Sequence, residues 1–200
     1  GLVNGTTYSY RVRANNSVGS GAASTVATTT PFTTPGAPRN VVALAGDREV
    51  VLTWAAPTVS GGSAITGYVV QQSTNGSTWT TVDTPAVASS VITGLTNGAT
   101  YSYRVFAVNA AVGNVNAIAT SGATASTIVT AMPRTTASAP QALTPVAGNR
   151  QIVLTWTAPA DNGGVALTGY AVQRSVDGGR TWTNALTTGS STVTATITGL

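Results

Sequence analysis

The sequence predicts an all-β fold arranged as a series of small sandwiches, and three observations carry that expectation. Only 7% of the 200 residues are charged while 42% are hydrophobic, against about 25% charged residues in ordinary soluble domains. Thr, Ser, Ala, Val and Gly fill the difference, a mixture of β-branched residues and turn formers that favours strands over helices. Several segments recur in the same order at a spacing near one hundred residues, the size of one small sandwich domain. Within them apolar and polar residues alternate: Val50, Leu52 and Trp54 share one side of a strand and could not share one side of a helix.

GLVNGTTYSYRVRANNSVG at Gly1–Gly19 returns as GLTNGATYSYRVFAVNAAVG at Gly94–Gly113. EVVLTWAAP at Glu49–Pro57 returns as QIVLTWTAP at Gln151–Pro159, and AITGYVVQQSTNGSTWT at Ala64–Thr80 returns as ALTGYAVQRSVDGGRTWT at Ala166–Thr183. Trp54 and Trp156 are 102 residues apart, and Gly94 and Gly199 are 105 apart. In this phase residues 1–31 are the C-terminal part of one repeat, its last two strands. Residues 32–134 are a complete repeat, and residues 135–200 are the first five strands of a third.

The complete repeat is expected to hold seven strands: Asn40–Ala45, Glu49–Trp54, Ile65–Ser73, Thr78–Val82, Ser89–Thr93, Thr100–Asn109 and Ala125–Ala131. Gly, Pro, Asn or Asp lie between most of them, as short-strand sandwiches require. The first two are joined by a hairpin turn at Asp47, Arg48 and Glu49, the third and fourth by the turn in Ser73–Trp79. On the sixth, Tyr101, Tyr103, Val105 and Ala107 point one way, with Ser102 and Arg104 opposite.

The ordered pattern LTW..P, then ITGY.V..S, then I.GL..G..Y.YRV.A.N resembles the fibronectin type III domain, in three partial or complete copies covering essentially the whole chain. The resemblance implies tandem seven-stranded Greek-key sandwiches of immunoglobulin-like architecture. It implies that Trp54 and Trp156 are core tryptophans of the second strand, and Tyr68 and Tyr170 core tyrosines of the third. Leu95 is implied to plug the bottom of the core before the sixth strand. Tyr101, like Tyr8, is implied to be a corner tyrosine whose hydroxyl ties the chain to upstream backbone. Elementary chemistry adds an expectation: a buried aromatic with one polar atom needs a partner for that atom.

The octet SVDGGRTW, Ser175–Trp182, fits S-x-D-x-G-x-T-W, the Asp-box that recurs on sialidase propeller blades. Position argues for a turn instead. The equivalent stretch of the preceding repeat, STNGSTW at Ser73–Trp79, lacks the Asp and one residue yet must reverse the chain at the same place. Asp and Asn bond nearby backbone and Gly supplies positive φ, and Trp182 can fold its ring over the hairpin. The arginine cluster, tyrosine nucleophile and several blades of a sialidase cannot be assembled here.

Composition narrows the chemistry further. There is no Cys and no His, which excludes disulfides, thiol chemistry, histidine acid–base catalysis and Cys/His zinc sites. All nine cations are Arg, scattered along a chain of net charge +4, without the basic stripe and aromatic platforms of a nucleic-acid binder. No apolar run approaches the roughly 18 residues of a membrane span. The acids are Asp47, Glu49, Asp83, Asp161 and Asp177. Asp47 and Glu49 read as a solvated turn. Asp161 in DNGG is too lone a carboxylate for calcium, which wants six to eight oxygens. No cofactor, metal or catalytic residue is therefore expected.

The loop after the sixth strand is the variable piece. Asn15 to Pro31 spans 16 positions and Asn109 to Pro133 spans 24, so eight residues are inserted, within Asn114–Ser126. Loops carry recognition more often than the strands they join, which makes Asn114, Val115, Asn116 and Ile118 the candidate partner contacts. TTTPFTTPGAPRN and TAMPRTTASAPQA join the repeats, and Pro and Thr favour extended, stiff backbone there. These features read as a non-catalytic spacer or display array of an extracellular or cell-surface protein. The alternatives left open are an accessory array of a secreted polysaccharide-degrading enzyme, and an adhesin binding protein or glycan at the cell surface through the long loop. The partial repeats at either end leave two further readings: a longer parent chain, or head-to-tail self-association in which one chain completes the next, as in a filament.

Overall fold

A computed structural model describes residues 1–113 and 122–199, and every element in them is a strand. The strands are β1 (Tyr8–Tyr10), β2 (Arg13–Asn16), β3 (Gly19–Ala23), β4 (Ala27–Thr29), β5 (Arg39–Ala45), β6 (Val50–Ala55), β7 (Gly67–Ser73), β8 (Thr80–Asp83), β9 (Ser89–Ile92), β10 (Tyr101–Val108) and β11 (Val129–Ala131). After them come β12 (Gln141–Gly148), β13 (Gln151–Thr157), β14 (Gly169–Arg174), β15 (Thr183–Gly189) and β16 (Thr194–Thr198). The chain divides into two compact units. One holds Gly1–Ala45, Glu49–Gly94 and Thr100–Ala131; the other holds Gly46–Arg48, Leu95–Ala99 and Met132–Leu200.

In the first unit a three-stranded sheet, β5-β6-β9, faces a four-stranded sheet, β11-β10-β7-β8, all neighbours antiparallel. This is the β-sandwich that the sequence predicts. Val50, Leu52 and Trp54 line the inner face of β6, with Val51 and Thr53 turned away. Tyr101, Tyr103, Val105 and Ala107 line the inner face of β10. The seventh strand is shorter than expected, because Ser126 breaks it. Its amide donates to the Val105 carbonyl, while its hydroxyl accepts the Val105 amide and donates to the Thr127 carbonyl.

The N-terminal residues pair in the same way. β1 pairs β4 with Tyr8 opposite Thr29 and Tyr10 opposite Ala27, as Tyr101 lies opposite Ala131 and Tyr103 opposite Val129. Ser24 bonds Val12 as Ser126 bonds Val105. This register corrects the loop arithmetic: it equates Asn16, not Asn15, with Asn109, so the longer copy carries nine extra residues.

The outer face of β10 departs from simple alternation. Phe106 and Val108 point away from the sandwich core and are nonetheless buried, in a second cluster with Val69 and Val112, flanked by Ala123 and Ala125. Val69, Val112, Ala123 and Ala125 thus cover part of a face that period-two reasoning assigns to solvent.

The second unit contains the sheets β12-β13-β16 and β14-β15, the counterparts of β5-β6-β9 and β7-β8. Both leading strands carry the same irregularity: Asn40 and Ala142 have φ of 53° and 52°, and the ladders shift register between Arg39 and Val42 and between Gln141 and Thr144. Arg48 and Arg150 likewise share φ of 57° and 53° at the tip of the first hairpin. Trp156, Tyr170 and Ala195 form the buried cluster here. Beside it opens a cleft of about 420 Å³ lined by Leu143, Leu154, Trp156, Leu167, Tyr170 and Val172, among others.

Candidate functional site

The aromatic residues singled out by the sequence sit in equivalent places. Trp54 meets Tyr68 edge to face, with centroids 5.3 Å apart and planes at 72°; Trp156 meets Tyr170 at 5.4 Å and 67°. Leu95 is buried, and its amide donates to the Arg48 carbonyl at 3.0 Å. Tyr101 is buried as well. At Tyr8 the hydroxyl accepts the amide of Val3, five residues upstream, at 2.8 Å.

The expectation that every buried polar tip finds a partner fails. Trp54 Nε1, Trp156 Nε1 and the hydroxyls of Tyr103 and Tyr170 are buried without a hydrogen bond. Ring area outweighs one weak donor at these positions. Tyr103 is the extreme case: it has no exposed surface, and burial pushes its phenol above the ordinary tyrosine range. Tyr103→Phe is therefore expected to leave stability unchanged or raise it by about 1 kcal/mol, since it removes an orphaned polar atom and keeps the ring. Urea unfolding of the variant checks this; a loss above that size would mean the hydroxyl has a partner in solution.

Two polar arrangements were not foreseen. Arg104 projects from the outer face of β10 with its guanidinium carbon 4.3 Å from the Trp79 ring centroid and 5.3 Å from that of Phe106, while its Nε donates to Gln71 Oε1 at 2.8 Å. This stack screens the hairpin tryptophan from water and adds a cation–π attraction of about 1 kcal/mol. Asn109, 1% exposed, closes the end of β10. Its Nδ2 donates to the carbonyls of Thr33 at 2.8 Å and Ser60 at 2.7 Å, and its Oδ1 accepts the Ala111 amide at 2.9 Å. The recurrence of Asn at the end of YRV.A.N was the only sequence signal for it.

The Asp-box octet is a hairpin turn. Asp177 Oδ1 accepts the amides of Arg180 at 3.0 Å and Thr181 at 2.9 Å, and Asp177 Oδ2 accepts the Thr181 hydroxyl at 2.6 Å. Ser175 donates to Asp177 and accepts the Gly179 amide. Trp182 Nε1 reaches the Gly179 carbonyl, so the ring lies along the turn while remaining 58% exposed. In the preceding repeat Asn75 Oδ1 accepts the amides of Ser77 and Thr78 at 2.9 and 2.8 Å, and Ser73 accepts that of Gly76. Asn thus does the same work without charge.

The hydrogen bonds from the Thr181 side chain and backbone, with those from Ser175 and Arg180, hold the Asp177 carboxyl down at about 2, from an ordinary value of 3.8. A depressed carboxylate contributes stability above its unfolded value that is lost as pH falls through the folded one. The stability is therefore lost between about pH 4 and pH 2, the amide resonances of Arg180 and Thr181 are expected to shift with a midpoint near pH 2, and those of Ser77 and Thr78 to stay fixed. Asp177→Asn should abolish the shift; its persistence would show that another group titrates there.

Three further acids serve local structure. Asp83 accepts the Thr84 amide and the Ser90 hydroxyl, Asp47 accepts Asn97 Nδ2, and Asp161 Oδ1 accepts the Gly163 amide. No three acidic side chains gather among the described residues, and no helix among them is long and apolar enough to cross a membrane. The candidate contact residues Asn114, Val115, Asn116 and Ile118 lie outside the described residues.

Residues 36–120 match the family model of the fibronectin type III domain, a non-catalytic module. Over its whole length the chain is 36% identical to Endoglucanase B of Cellulomonas fimi, covering 19% of that protein. Over 86% of its length it is 38% identical to Chitinase A1 of Niallia circulans, covering 22% of that protein. The chain thus spans about a fifth of these enzymes. Among solved structures, the titin domains A168–A170 superpose with a TM-score of 0.49 at 25% identity, over 66% of this chain and 42% of that one.

Proposed function

We propose that this chain of tandem fibronectin type III-like repeats is a non-catalytic spacer array that holds other parts of a larger extracellular protein apart. The observation that carries this reading is that its polar side chains are spent on the fold: the carboxylates of Asp83, Asp161 and Asp177 and the amide of Asn109 all bond neighbouring backbone or hydroxyls. The matched regions of two polysaccharide-degrading enzymes favour a particular setting, an accessory array within an enzyme of that class. In that setting the array sets the distance between a catalytic domain and its neighbours and does no chemistry itself.

Sedimentation of the 200-residue chain with microcrystalline cellulose or chitin tests the reading. As a spacer it remains in the supernatant with either polymer. Saturable retention on one of them would replace the spacer with a glycan-binding module.

A further inference from the structure

Two stretches of backbone meet in the same way in each unit, and neither contact involves a long side chain. In the first unit the Asn4–Gly5 turn lies against Gly61–Gly62. The Gly5 amide donates to the Pro31 carbonyl at 2.9 Å, and the Thr33 amide donates to the Gly61 carbonyl at 2.8 Å. In the second unit the Asn97–Gly98 turn lies against Gly163–Gly164. The Gly98 amide donates to the Pro133 carbonyl at 2.9 Å, and the Thr135 amide donates to the Gly163 carbonyl at 2.9 Å.

The glycines are required by space and by conformation. A Cβ on Gly62 would collide with the Gly5 amide nitrogen and come within 2.7 Å of the Asn4 carbonyl carbon. One on Gly164 would collide with the Gly98 nitrogen and come within 2.6 Å of the Asn97 carbonyl carbon. Gly61 and Gly163 are closed off equally, each by a threonine carbonyl of the connecting segment, Thr33 and Thr135. All four have φ between 74° and 88°, where a side chain is disfavoured. The compact units reflect these contacts: Leu95–Ala99 and Gly46–Arg48 group with residues 132–200 and not with their own sheets. Arg134 donates to the Gly46 carbonyl at 2.9 Å, and Asn97 ties the set together, accepting the Arg48 amide and donating to Asp47.

We propose that the triplet N-G, P-x-T-T and G-G encodes a docking joint, in which the Asn-Gly turn of one repeat seats backbone to backbone on the Gly-Gly loop of the next. The connecting segments PFTT and PRTT are then ordered parts of the joint, pinned at both ends, and not free linkers. Pro removes an amide that would have no partner, and the paired threonines keep the segment extended. The partner this surface fits is another repeat carrying the same triplet. The joint stands independently of the spacer reading, since it concerns how repeats dock whatever the array serves.

Amide hydrogen exchange on the whole chain tests it. Gly5, Thr33, Gly98 and Thr135 are expected to be protected at least tenfold over unstructured backbone. Gly62→Ala should abolish protection at Gly5 and Thr33, and Gly164→Ala that at Gly98 and Thr135. Gly76→Ala and Gly178→Ala are matched controls, with φ of 72° and 73° but open space around the added methyl; they impose the same backbone strain and should leave all four amides protected. Protection at Leu52, Val105 and Ala195 reports separately that the sandwiches remain folded. Unprotected joint amides in the unaltered chain, or full protection in Gly164→Ala, would overturn the proposal.

Discussion

Trp54→Ala is expected to cost about 3 to 5 kcal/mol, the range for emptying a buried indole site. The ring sits at the middle of the sandwich on β6, the central strand of its sheet, 7% exposed and in edge contact with Tyr68. Val50 and Leu52 on one side and Tyr103 and Val105 on the other have no exposed surface, so the surroundings are packed too tightly to collapse into the gap. Trp54→Phe separates area from hydrogen bonding. Because Nε1 has no partner, its removal forfeits no bond, and only the lost ring volume counts, about 1 to 2 kcal/mol. Denaturant unfolding followed at amides of β6 and β10 reads both variants. A Trp54→Ala loss below about 1 kcal/mol would remove the indole from the list of core supports.

The equivalent change in the second unit should cost less. Trp156 makes the same edge contact with Tyr170, but among the described residues its buried cluster adds Ala195 alone, the Leu154, Leu167, Val172 and Leu186 packed against it are partly exposed, and a cleft opens beside it. Cavity cost depends on how far neighbours enclose the site.

What the sequence made legible follows from which interactions have a period. Strands β5 to β10 fall within one or two residues of their expected ends, because alternation of Val50, Leu52 and Trp54, or of Tyr101, Tyr103 and Val105, reports a buried face directly. The turn at Ser175–Trp182 was legible for a different reason: its neighbour at Ser73–Trp79 performs the same reversal with Asn in place of Asp, which removes any need for catalysis to explain the octet. Phe106 and Val108 were not legible, since Val112, Ala123 and Ala125, which pack with them beside Val69, lie outside any strand and follow no period. The Arg104 stack on Trp79 joins residues 25 positions apart, one on β10 and one in the turn before β8, and neither carries a local mark of the other. The unpaired Nε1 of Trp54 departs from the expectation that a buried polar tip finds a partner, because the buried ring area outweighs one weak donor. The docking joint was visible in part, as recurring N-G, P-x-T-T and G-G, but only coordinates bring the three pieces to one place.

Asn109→Ala is expected to cost about 3 kcal/mol, although it deletes no apolar surface. The substitution removes the partner of the Thr33 and Ser60 carbonyls and of the Ala111 amide; a buried group so orphaned carries a penalty of about 1 to 3 kcal/mol, and the exposed Thr33 and Ser60 lie at the low end because water can enter. Asn16 supplies the internal comparison. It holds the equivalent place and its Oδ1 accepts the amides of Val18 and Gly19, but it is exposed, so Asn16→Ala should stay within about 1 kcal/mol. Asn109→Asp sharpens the test, because it keeps the acceptor and exchanges two donated hydrogens for a charge facing two carbonyl oxygens. Such a carboxyl is held protonated, its folded value raised above the ordinary unfolded one of about 3.9. The sign of the pH dependence follows: the penalty is small below about pH 4 and grows as pH rises through the raised folded value. At neutral pH Asn109→Asp is then worse than Asn109→Ala, and in acid it is better. Urea midpoints for both variants at pH 3.5 and pH 7 read this crossover, and parallel curves without one would mean that Asn109 does not face the Thr33 and Ser60 carbonyls in solution.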